Sequence, residues 1–424
     1  MYKFYIEKDL AKFDKFVLDN NGSVFQTSKG DEQKTAWNGI YIMAEDKNKN
    51  SVLSCLLLVR PVAKIMKMGY IPLGFVCDYS NAKLVEEALI YIKQLTKKEH
   101  IGLCFIDPTV VLAKNDELDN VGVSVLKTFE AASLKRTLNR RPYIQPDTTY
   151  IIDLADEQGK TKSLDEIVKN FEKGLKYSIR TSPERGLKYE TFVYSDVKEN
   201  PILMEEFMNV MNETMTRLEA STRSYNYFIN MLKNFEPYAK LNMVYYDADE
   251  DKRKTDEYQE KLSKLDKNDK RHTKEINELT SKIEGYNKRV LELENNKIDY
   301  STNKKLYLAG GITIIFGNNS ICLYGGSKNI LRNSTRSSHY LNYKRIEDSI
   351  NHKCIGHDLS RIHLQYKNER DKDYGLYLFK KSFNADEIKY IGEFAIINSK
   401  LMYFLFTKML PLLRKIAKKL KGTK

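Results

Sequence analysis

In the first 150 residues, stretches with the apolar pattern of strands alternate with a stretch that has the period of a helix. SVLSCLLLVRPV (51–62), KMGYIPLGFVCDY (67–79) and IGLCFIDPTV (101–110) predict strands. Between them, AKLVEEALIYIKQLTKK (82–98) repeats apolar residues at helical spacing and predicts an amphipathic helix. This alternation indicates a mixed α/β unit.

From about residue 144 the same alternation occurs a second time. The predicted elements are strands at 148–156 and 187–195, helices at 164–186 and 201–220, and two strands within 304–329 around the turn that begins at Gly317. The two halves therefore predict a duplicated α/β architecture with mixed sheets.

A heptad pattern interrupts the second half. Apolar residues recur at steps of 3, 4, 3, 4 and 3 between Ile276 and Leu293, and a shorter series runs from Tyr258 to Leu265. The polar stretch DKNDK (266–270) separates the two series, so residues 248–302 predict an antiparallel coiled-coil arm. Acids and bases alternate along the arm, so two roles remain possible for it: a solvated spacer or a binding arm.

Composition is that of a soluble globular protein: 424 residues, 42% hydrophobic and 30% charged. The five cysteines are an odd number without short paired spacing, which indicates a reducing compartment and no disulfide framework. The first residues are charged and lack the uninterrupted apolar stretch of a signal peptide. We therefore expect a cytoplasmic protein.

About half of the net charge of +13 lies at the C-terminus. Residues 401–424 contain seven basic residues and no acid, and without them the net charge would be +6. Lys408 and Pro411 interrupt the apolar run well short of the ~20 residues that a membrane-spanning helix needs. Two interpretations remain open: a basic amphipathic helix lying on anionic lipid at the inner face of the membrane, or a docked terminal helix.

The segment DYGLYLFKKSF (373–383) has the composition of a strand. In a strand, the adjacent side chains of Lys380 and Lys381 point to opposite faces. Either both ammonium groups reach water at a sheet edge, or one of them points towards a negative charge in a cleft.

Common catalytic fingerprints are absent from the sequence. There is no G-x-S-x-G, no P-loop and no dinucleotide-binding glycine turn. His352, Cys354, His357 and His363 crowd one segment, but their spacing fits no standard zinc pattern, so we expect no metal. A transferase that depends on positioning and charge is the interpretation that these absences favour.

Several stretches, in order along nearly the whole chain, resemble the FemABX family of non-ribosomal aminoacyltransferases. They are FQTSKGDEQK (25–34), YIPLGFVCDY (70–79), IQPDTTYIIDL (144–154), KYSIRTSPERG (176–186), ETMTRLEASTRSYNYF (213–228), LYLAGGITIIFGNNSICLYGGS (306–327) and YGLYLFKKSFNADEIKYIGEF (374–394). Phe75 replaces a proline that is usual in the family, and Ser382 and Asn384 stand where glycine is frequent.

The resemblance implies two tandem GNAT-like domains with the coiled-coil arm inserted in the second. It places domain 1 at residues 1–145, completed by 386–424, and domain 2 at 146–385. It also implies transfer of an amino acid from aminoacyl-tRNA, without a further cofactor, to the stem-peptide amine of a lipid-linked or UDP-linked muropeptide. The basic tail favours the lipid-linked acceptor.

The resemblance further implies a set of site residues. Lys380 is expected to face the cleft and to stabilise either the transition state or a donor phosphate, with Lys381 facing outward. Substrate-binding roles are expected for Lys34, Arg223, Tyr227, Arg217, Asp78, Tyr324 and Phe379. A planar guanidinium and a lysine ammonium both suit the oxygens of a diphosphate. Arg180 is expected either to pair within the protein or to touch tRNA.

Two other function classes remain open at this point. One is a protein of the same fold that binds tRNA or membrane without chemistry. The other is a different enzyme, such as an aminoacyl-tRNA–protein transferase or an N-acyltransferase that uses coenzyme A. Against the last, the sequence has no Q/R-x-x-G-x-G/A pyrophosphate loop.

Overall fold

The computed structural model describes residues 2–63, 66–137, 145–299, 305–363, 366–371, 373–409 and 412. Its strands are β1 (Lys3–Ile6), β2 (Asn38–Glu45), β3 (Ser51–Ala63), β4 (Met66–Ile71), β5 (Val76–Cys77), β6 (Ile101–Ile106), β7 (Val111–Lys114), β8 (Glu117–Leu118), β9 (Lys135–Arg136), β10 (Thr148–Asp153), β11 (Leu187–Phe192), β12 (Ala239–Tyr246), β13 (Leu306–Phe316), β14 (Asn319–Ser327), β15 (Gly356–Ile362), β16 (Asp386–Tyr390) and β17 (Phe394–Ile397).

Its α-helices are α1 (Leu10–Asp19), α2 (Ser28–Glu32), α3 (Ala82–Lys98), α4 (Asn120–Ala131), α5 (Leu164–Lys169), α6 (Lys173–Thr181), α7 (Tyr194–Glu199), α8 (Ile202–Arg217), α9 (Tyr225–Asn234), α10 (Ala248–Ser263), α11 (Thr273–Asn295), α12 (Arg332–Thr335), α13 (Ser337–Asn351), α14 (Tyr374–Ser382) and α15 (Lys400–Phe404). Short 3₁₀ turns occupy Val24–Gln26 and Pro183–Arg185, and a π-helical turn follows at Leu405–Met409.

The strands form two mixed sheets. The first has eight strands in the order β1-β2-β3-β4-β6-β17-β9, with β5 paired to β3. The second has nine, in the order β11-β12-β13-β14-β15-β10-β16-β7-β8. Each sheet contains a parallel pair whose strands are joined through a helix: β4 and β6 through α3, and β14 and β15 through α13. The predicted α/β class with a duplicated architecture is confirmed.

The two sheets exchange strands along the chain. β7 and β8 leave the first half to pair at the edge of the second sheet, and β17 returns from the C-terminal region to lie between β6 and β9 of the first. The domain limits at 145 and 386 remain a prediction. β16 (Asp386–Tyr390) pairs with β10 and β7 in the second sheet.

A shared apolar core joins the two halves. One cluster of buried residues contains Phe13, Met43 and Leu56 from the first half together with Phe207 and Met243 from the second. Because apolar burial is the main favourable term in folding, this common core holds the two sheets together.

The strand predicted over 373–383 is wrong, because Tyr374–Ser382 forms helix α14. Its aromatic residues pack at helical rather than alternating spacing: Phe379 lies against Phe383 four residues later, with ring centroids 5.3 Å apart. On this helix Lys380 is buried and Lys381 is exposed. On this helix Lys380 therefore points inward and Lys381 outward, and the expectation that Lys380 faces a substrate cleft stays a prediction.

The single helix predicted over 164–186 is also wrong. Asn170 ends α5, a short break follows, and α6 begins at Lys173. Gly186, with φ of +72°, ends the segment in the left-handed conformation that glycine adopts readily.

Helices α10 and α11 occupy most of the segment predicted as an arm, and a buried ion pair connects them. Arg289 on α11 donates through Nε and Nη2 to the two carboxylate oxygens of Asp251 on α10, each at 2.7 Å. The Tyr246 hydroxyl donates to the same carboxylate at 2.7 Å. A coiled-coil role for this pair stays a prediction, and residues 300–302 of the predicted arm lie outside the described residues.

We predict that Arg289→Met lowers the free energy of unfolding by about 3–5 kcal/mol, because it leaves the Asp251 carboxylate buried without its cation. Arg253→Met on the exposed face of α10 is the matched control. Its ion pairs with Glu250 and Glu257 lie at the surface, where water and salt screen them, so this variant should lose little stability. Urea unfolding measures both variants, and equal losses would contradict the assignment.

Candidate active site

Lys34 is positioned by the segment that precedes it. The buried Gln26 side chain accepts from the Leu56 amide at 2.8 Å and donates to the Pro72 carbonyl at 2.6 Å. It thus ties the segment to β3 and to the loop after β4. Helix α2 follows, and the Lys34 amide donates to the Asp31 carbonyl at 2.8 Å. Gln26 of the FQTSKGDEQK segment therefore has a structural role.

Arg223, Tyr227 and Tyr324 form one group on the second half. Ser224 caps α9 by accepting from the Tyr227 amide at 3.2 Å, which fixes the start of the helix. The Arg223 guanidinium carbon lies 5.3 Å from the Tyr227 ring centroid, and the Tyr324 hydroxyl donates to the Tyr227 hydroxyl at 3.2 Å. Three of the predicted site residues therefore lie together.

Gln33 connects this group to Lys34. Its side-chain amide donates to the Tyr227 carbonyl at 3.5 Å, and it accepts from Asn234 of α9 at 3.2 Å. A residue adjacent to Lys34 is thus bonded to both ends of the helix that carries Tyr227.

The charges of this region interact with one another. Burial lowers the pKa of Lys34, the Arg223 cation lowers it further, and the Asp107 carboxylate acts in the opposite direction. Among the described residues, Lys34 Nζ makes no hydrogen bond or ion pair. Two neighbouring cations, one of them half-buried, form an arrangement that suits an anionic ligand.

Asp107 is the main residue that the sequence did not single out. It follows β6 directly and is only 2% exposed. Oδ1 accepts from the Leu73 amide at 2.8 Å, whereas Oδ2 has no hydrogen bond among the described residues. Burial raises the pKa of Asp107 to about 6, against the opposing effect of Arg361. The available signal was an acid at the end of an otherwise apolar strand.

Arg361 of β15 faces Asp107 from the other sheet. Its Nη1 lies 3.7 Å from Asp107 Oδ2 and donates to the Pro146 carbonyl at 2.7 Å. The guanidinium carbon lies 5.0 Å from the Tyr390 ring centroid. Arg361 was also missed from the sequence, and it joins the two sheets through charge.

Lys380 lies beneath the backbone of β15. Its Nζ donates to the Ser360 carbonyl at 2.5 Å and to the Arg361 carbonyl at 3.3 Å, and the residue is 3% exposed. Burial lowers the pKa of Lys380 to about 8, while Asp358 opposes that shift. Lys380 is therefore connected to Asp107 only indirectly, because its ammonium bonds to the Arg361 carbonyl and the Arg361 side chain faces Asp107. The contacts that hold its ammonium are backbone carbonyls.

The remaining predicted residues lie in other environments. Arg217 donates to the Ser327 carbonyl at 3.2 Å and to Asn329 at 2.5 Å, so it fastens α8 to the end of β14. Asp78 accepts from the amide and hydroxyl of Ser80 in the turn before α3. Phe379 packs against His339, with ring centroids 5.0 Å apart. These contacts show local structural roles, and substrate binding by the three stays a prediction.

The histidine-rich segment is folded into the protein interior. The imidazole of the fully buried His357 lies within hydrogen-bond distance of Ser320, Ser349 and Cys322. His352 instead contacts Lys240 at 3.0 Å. Across the part of the chain that the structure describes, no group of three or more His, Cys, Asp or Glu side chains is arranged to hold a metal ion.

The fold and the site define a protein of two mixed α/β sheets with a charged centre between them. Residues 9–409 match the model of the FemAB family, and the chain belongs to that family. Among curated proteins, it is 28% identical to a lipid II:glycine glycyltransferase of Staphylococcus epidermidis over 96% of this chain and 97% of the relative. A protein of the same name from Staphylococcus aureus is also 28% identical, with the same coverage.

Among solved structures, a crystal structure of FemX superposes with a TM-score of 0.75, at 24% identity, over 96% of this chain and 100% of FemX. This likeness confirms that the fold is shared.

Proposed function

We propose that this protein transfers glycine from aminoacyl-tRNA to the stem-peptide amine of lipid II and so builds a peptidoglycan cross-bridge. The chain is an amide-forming acyltransferase, in keeping with its family and its relatives. The names of the staphylococcal relatives support glycine and lipid II as the substrates. Aminoacyl-tRNA as the donor is what the resemblance to the FemABX family implies, and its aminoacyl ester is activated for attack by an amine.

The observation that carries the proposal is the meeting of Asp107 with cations from both halves of the chain. Arg361 lies 3.7 Å from its carboxylate, and Lys34 interacts electrostatically with both Asp107 and Arg223. Amide formation from two phosphate-bearing substrates requires cations to hold phosphate and a base to accept a proton. The site contains both.

Lys34 and Arg223 are assigned to the diphosphate of the acceptor. The guanidinium of Arg223 offers a planar pair of donors, and Lys34 adds a point charge. Tyr227 and Tyr324, joined at their hydroxyls, lie next to Arg223 and are assigned to the adjoining part of the same ligand.

Asp107 is assigned as the general base. The acceptor amine attacks the carbonyl carbon of the aminoacyl ester, and the ionised Asp107 carboxylate takes a proton from the attacking nitrogen. The C–O bond to the ribose then breaks, and the proton passes to the departing ribose oxygen. An amide and a free 3′-terminal hydroxyl are formed. The proposed aminolysis uses no cofactor beyond the aminoacyl-tRNA itself.

We assign Lys380 to the negative charge that develops on the carbonyl oxygen or lies on the terminal donor phosphate. Burial strengthens the attraction between its ammonium and a nearby negative charge, because charges interact more strongly where water is excluded. Since its Nζ is bonded to the carbonyls of Ser360 and Arg361, direct contact with substrate would require a change of rotamer.

A position at the inner membrane face is part of the proposal. Exposed apolar side chains occupy the α15 region: Leu401, Phe404, Leu405 and Met409. The basic residues from Arg414 onward lie outside the described residues. No helix among the described residues is long and apolar enough to cross a membrane.

We expect the full chain to float with vesicles that contain phosphatidylglycerol, and a chain that ends at residue 409 to bind them much less, because basic residues near an anionic surface contribute about 1 kcal/mol each. Neutral phosphatidylcholine vesicles are the control. Equal flotation of the two chains would contradict a role for the tail.

The direct test of the function is to incubate the protein with charged tRNA and either lipid II or the UDP-linked muropeptide, and to weigh the products. We expect lipid II to gain one glycyl residue. Lys34→Met and Arg223→Gln should each raise KM for lipid II by about 10- to 100-fold, as expected for a lost charge-assisted hydrogen bond. Lys233→Met, at an exposed position on α9, is the control. The absence of any amide product would contradict the proposal.

A general base with a pKa near 6 predicts that kcat/KM falls as the pH drops below about 6, because only the ionised carboxylate accepts a proton. Arg361→Met should move this limb to higher pH, since the cation that favours the ionised carboxylate is lost. Asp107→Asn should abolish the limb together with most of the activity. Arg370→Met, at an exposed position, should leave the profile unchanged. An acidic limb that persists in Asp107→Asn would contradict the assignment.

Lys380→Met should lower kcat by about 10²–10³-fold if its charge stabilises the oxyanion. The ammonium loses its proton above its pKa of about 8, so kcat of the unaltered protein should decline above that pH. The exposed neighbour provides the matched control Lys381→Met, which should retain full activity. A folded Lys380→Met variant with undiminished kcat would refute the role.

A further inference from the structure

A basic surface with one exposed aromatic ring lies on the second half, beside the residues already assigned. It consists of Tyr177, Arg180, Arg185, Arg332 and Arg336, and we call it the α6–α13 surface. Arg180 and Arg336 are exposed, as is Arg332, and Tyr177 is 55% exposed. Among the described residues, none of these three exposed guanidinium groups forms an ion pair.

Direct contacts hold the parts of this surface together. The guanidinium carbons of Arg180 and Arg185 each lie 5.8 Å from the Tyr177 ring centroid. Arg185 donates to the Ser334 carbonyl of α12 at 2.8 Å, and Ser182 donates to the Thr335 carbonyl at 3.2 Å. Helix α6 is therefore fixed to the segment that carries the other two arginines.

Nearby acids are occupied elsewhere. Glu292 accepts from the Leu331 amide and Glu213 from the Asn329 amide, each at 2.7 Å. Glu184 lies 3.4 Å from the Lys282 ammonium. The arginine charges also act on the half-buried imidazole of His339: burial, then Arg336 and Arg332, lower the pKa of His339 to about 4.

The surface is connected to the candidate site by a short series of contacts. His339, on the first turn of α13, packs edge-to-face against Phe379, with ring centroids 5.0 Å apart. Lys380 is the next residue, and its ammonium donates to the Arg361 carbonyl. The Arg361 side chain faces Asp107 at 3.7 Å. A chain of phosphates on the surface would therefore approach the site from the side of Phe379.

We propose that the α6–α13 surface binds the phosphodiester backbone of the donor RNA next to its 3′ end. This inference rests on the proposed function, since it assigns the surface that receives the donor. Unpaired guanidinium groups around an exposed tyrosine match the combination of phosphate contacts and ring stacking by which proteins bind RNA backbone and unpaired bases. Helix α13, fifteen residues long, adds the positive end of its dipole at Arg336.

The residues of this surface favour RNA over lipid. A membrane-binding surface needs apolar side chains that enter the acyl region, and Tyr177 is the only aromatic or aliphatic member of the set. The exposed Leu401, Phe404 and Leu405 lie instead around α15, whose Met402 packs on Gly102 of β6 in the first sheet.

The test uses the full chain and uncharged tRNA as the probe, with affinity measured by fluorescence anisotropy over a range of salt. The triple variant Arg180→Gln, Arg332→Gln, Arg336→Gln should bind tRNA at least tenfold more weakly. Its salt dependence should flatten by about two to three units of slope, as expected for three lost phosphate contacts. The control variant Lys83→Gln, Lys97→Gln, Lys127→Gln removes three exposed charges from α3 and α4 and should bind like the unaltered protein.

Transfer from a short aminoacyl-nucleotide ester that lacks the tRNA body separates this inference from the proposed function. The triple variant should use the short ester as well as the unaltered protein does, and should be defective only with aminoacyl-tRNA. Unchanged tRNA affinity in the triple variant would overturn the inference even where transfer occurs. Loss of binding to phosphatidylglycerol vesicles with tRNA binding intact would overturn it in favour of a lipid surface. Absence of transfer from either donor would instead count against the proposed function.

Discussion

The arrangement of the site depends on one buried carboxylate that faces cations from both halves of the chain. Asp107 directly follows β6 of the first sheet, and Arg361 reaches it from β15 of the second. Lys34 and Arg223, also from opposite halves, complete the local field. Without Asp107, Lys34 and Arg361 would both lose the carboxylate that opposes their charge, and the repulsion between Lys34 and Arg223 would act uncompensated. With it, the same cations remain close and are able to receive phosphate.

Several polar contacts keep these charges in place. Gln26 anchors the segment before Lys34, and Gln33 bonds to α9 at two points. On the other side, β15 has a register irregularity opposite β10, and Ser360 adopts the left-handed conformation with φ of +72°. Such a conformation is strained for a residue with a side chain and needs support from its surroundings. Asp358 accepts from the Ser360 amide, and Lys380 donates to the Ser360 carbonyl, so both polar groups of this residue are bonded.

The sequence was sufficient for elements with strong periodicity and for the order of motifs. The strand at 51–62 and the helix at 82–98 match β3 and α3 closely, because each has a long apolar pattern. The segment at 373–383 was misassigned because its aromatic and apolar residues suit strand and helix alike, and only the packing of Tyr377 against Tyr150 and Tyr366 decides between them. Asp107 and Arg361 escaped notice since neither lies in a recognisable motif. Their pairing joins positions more than 250 residues apart in the chain, and local pattern carries no information about such a contact.

Two opposing effects govern the ionisation of the buried Asp107 carboxylate: burial resists the negative charge and Arg361 favours it. The most direct measurement is a pH titration of the Asp107 carboxyl carbon by NMR in protein labelled with ¹³C at aspartate, with Asp107→Asn to assign the resonance. We predict a midpoint near pH 6 that moves upward in Arg361→Met. A midpoint near 4, the ordinary value for an exposed aspartate, with no response to the loss of Arg361, would contradict the account.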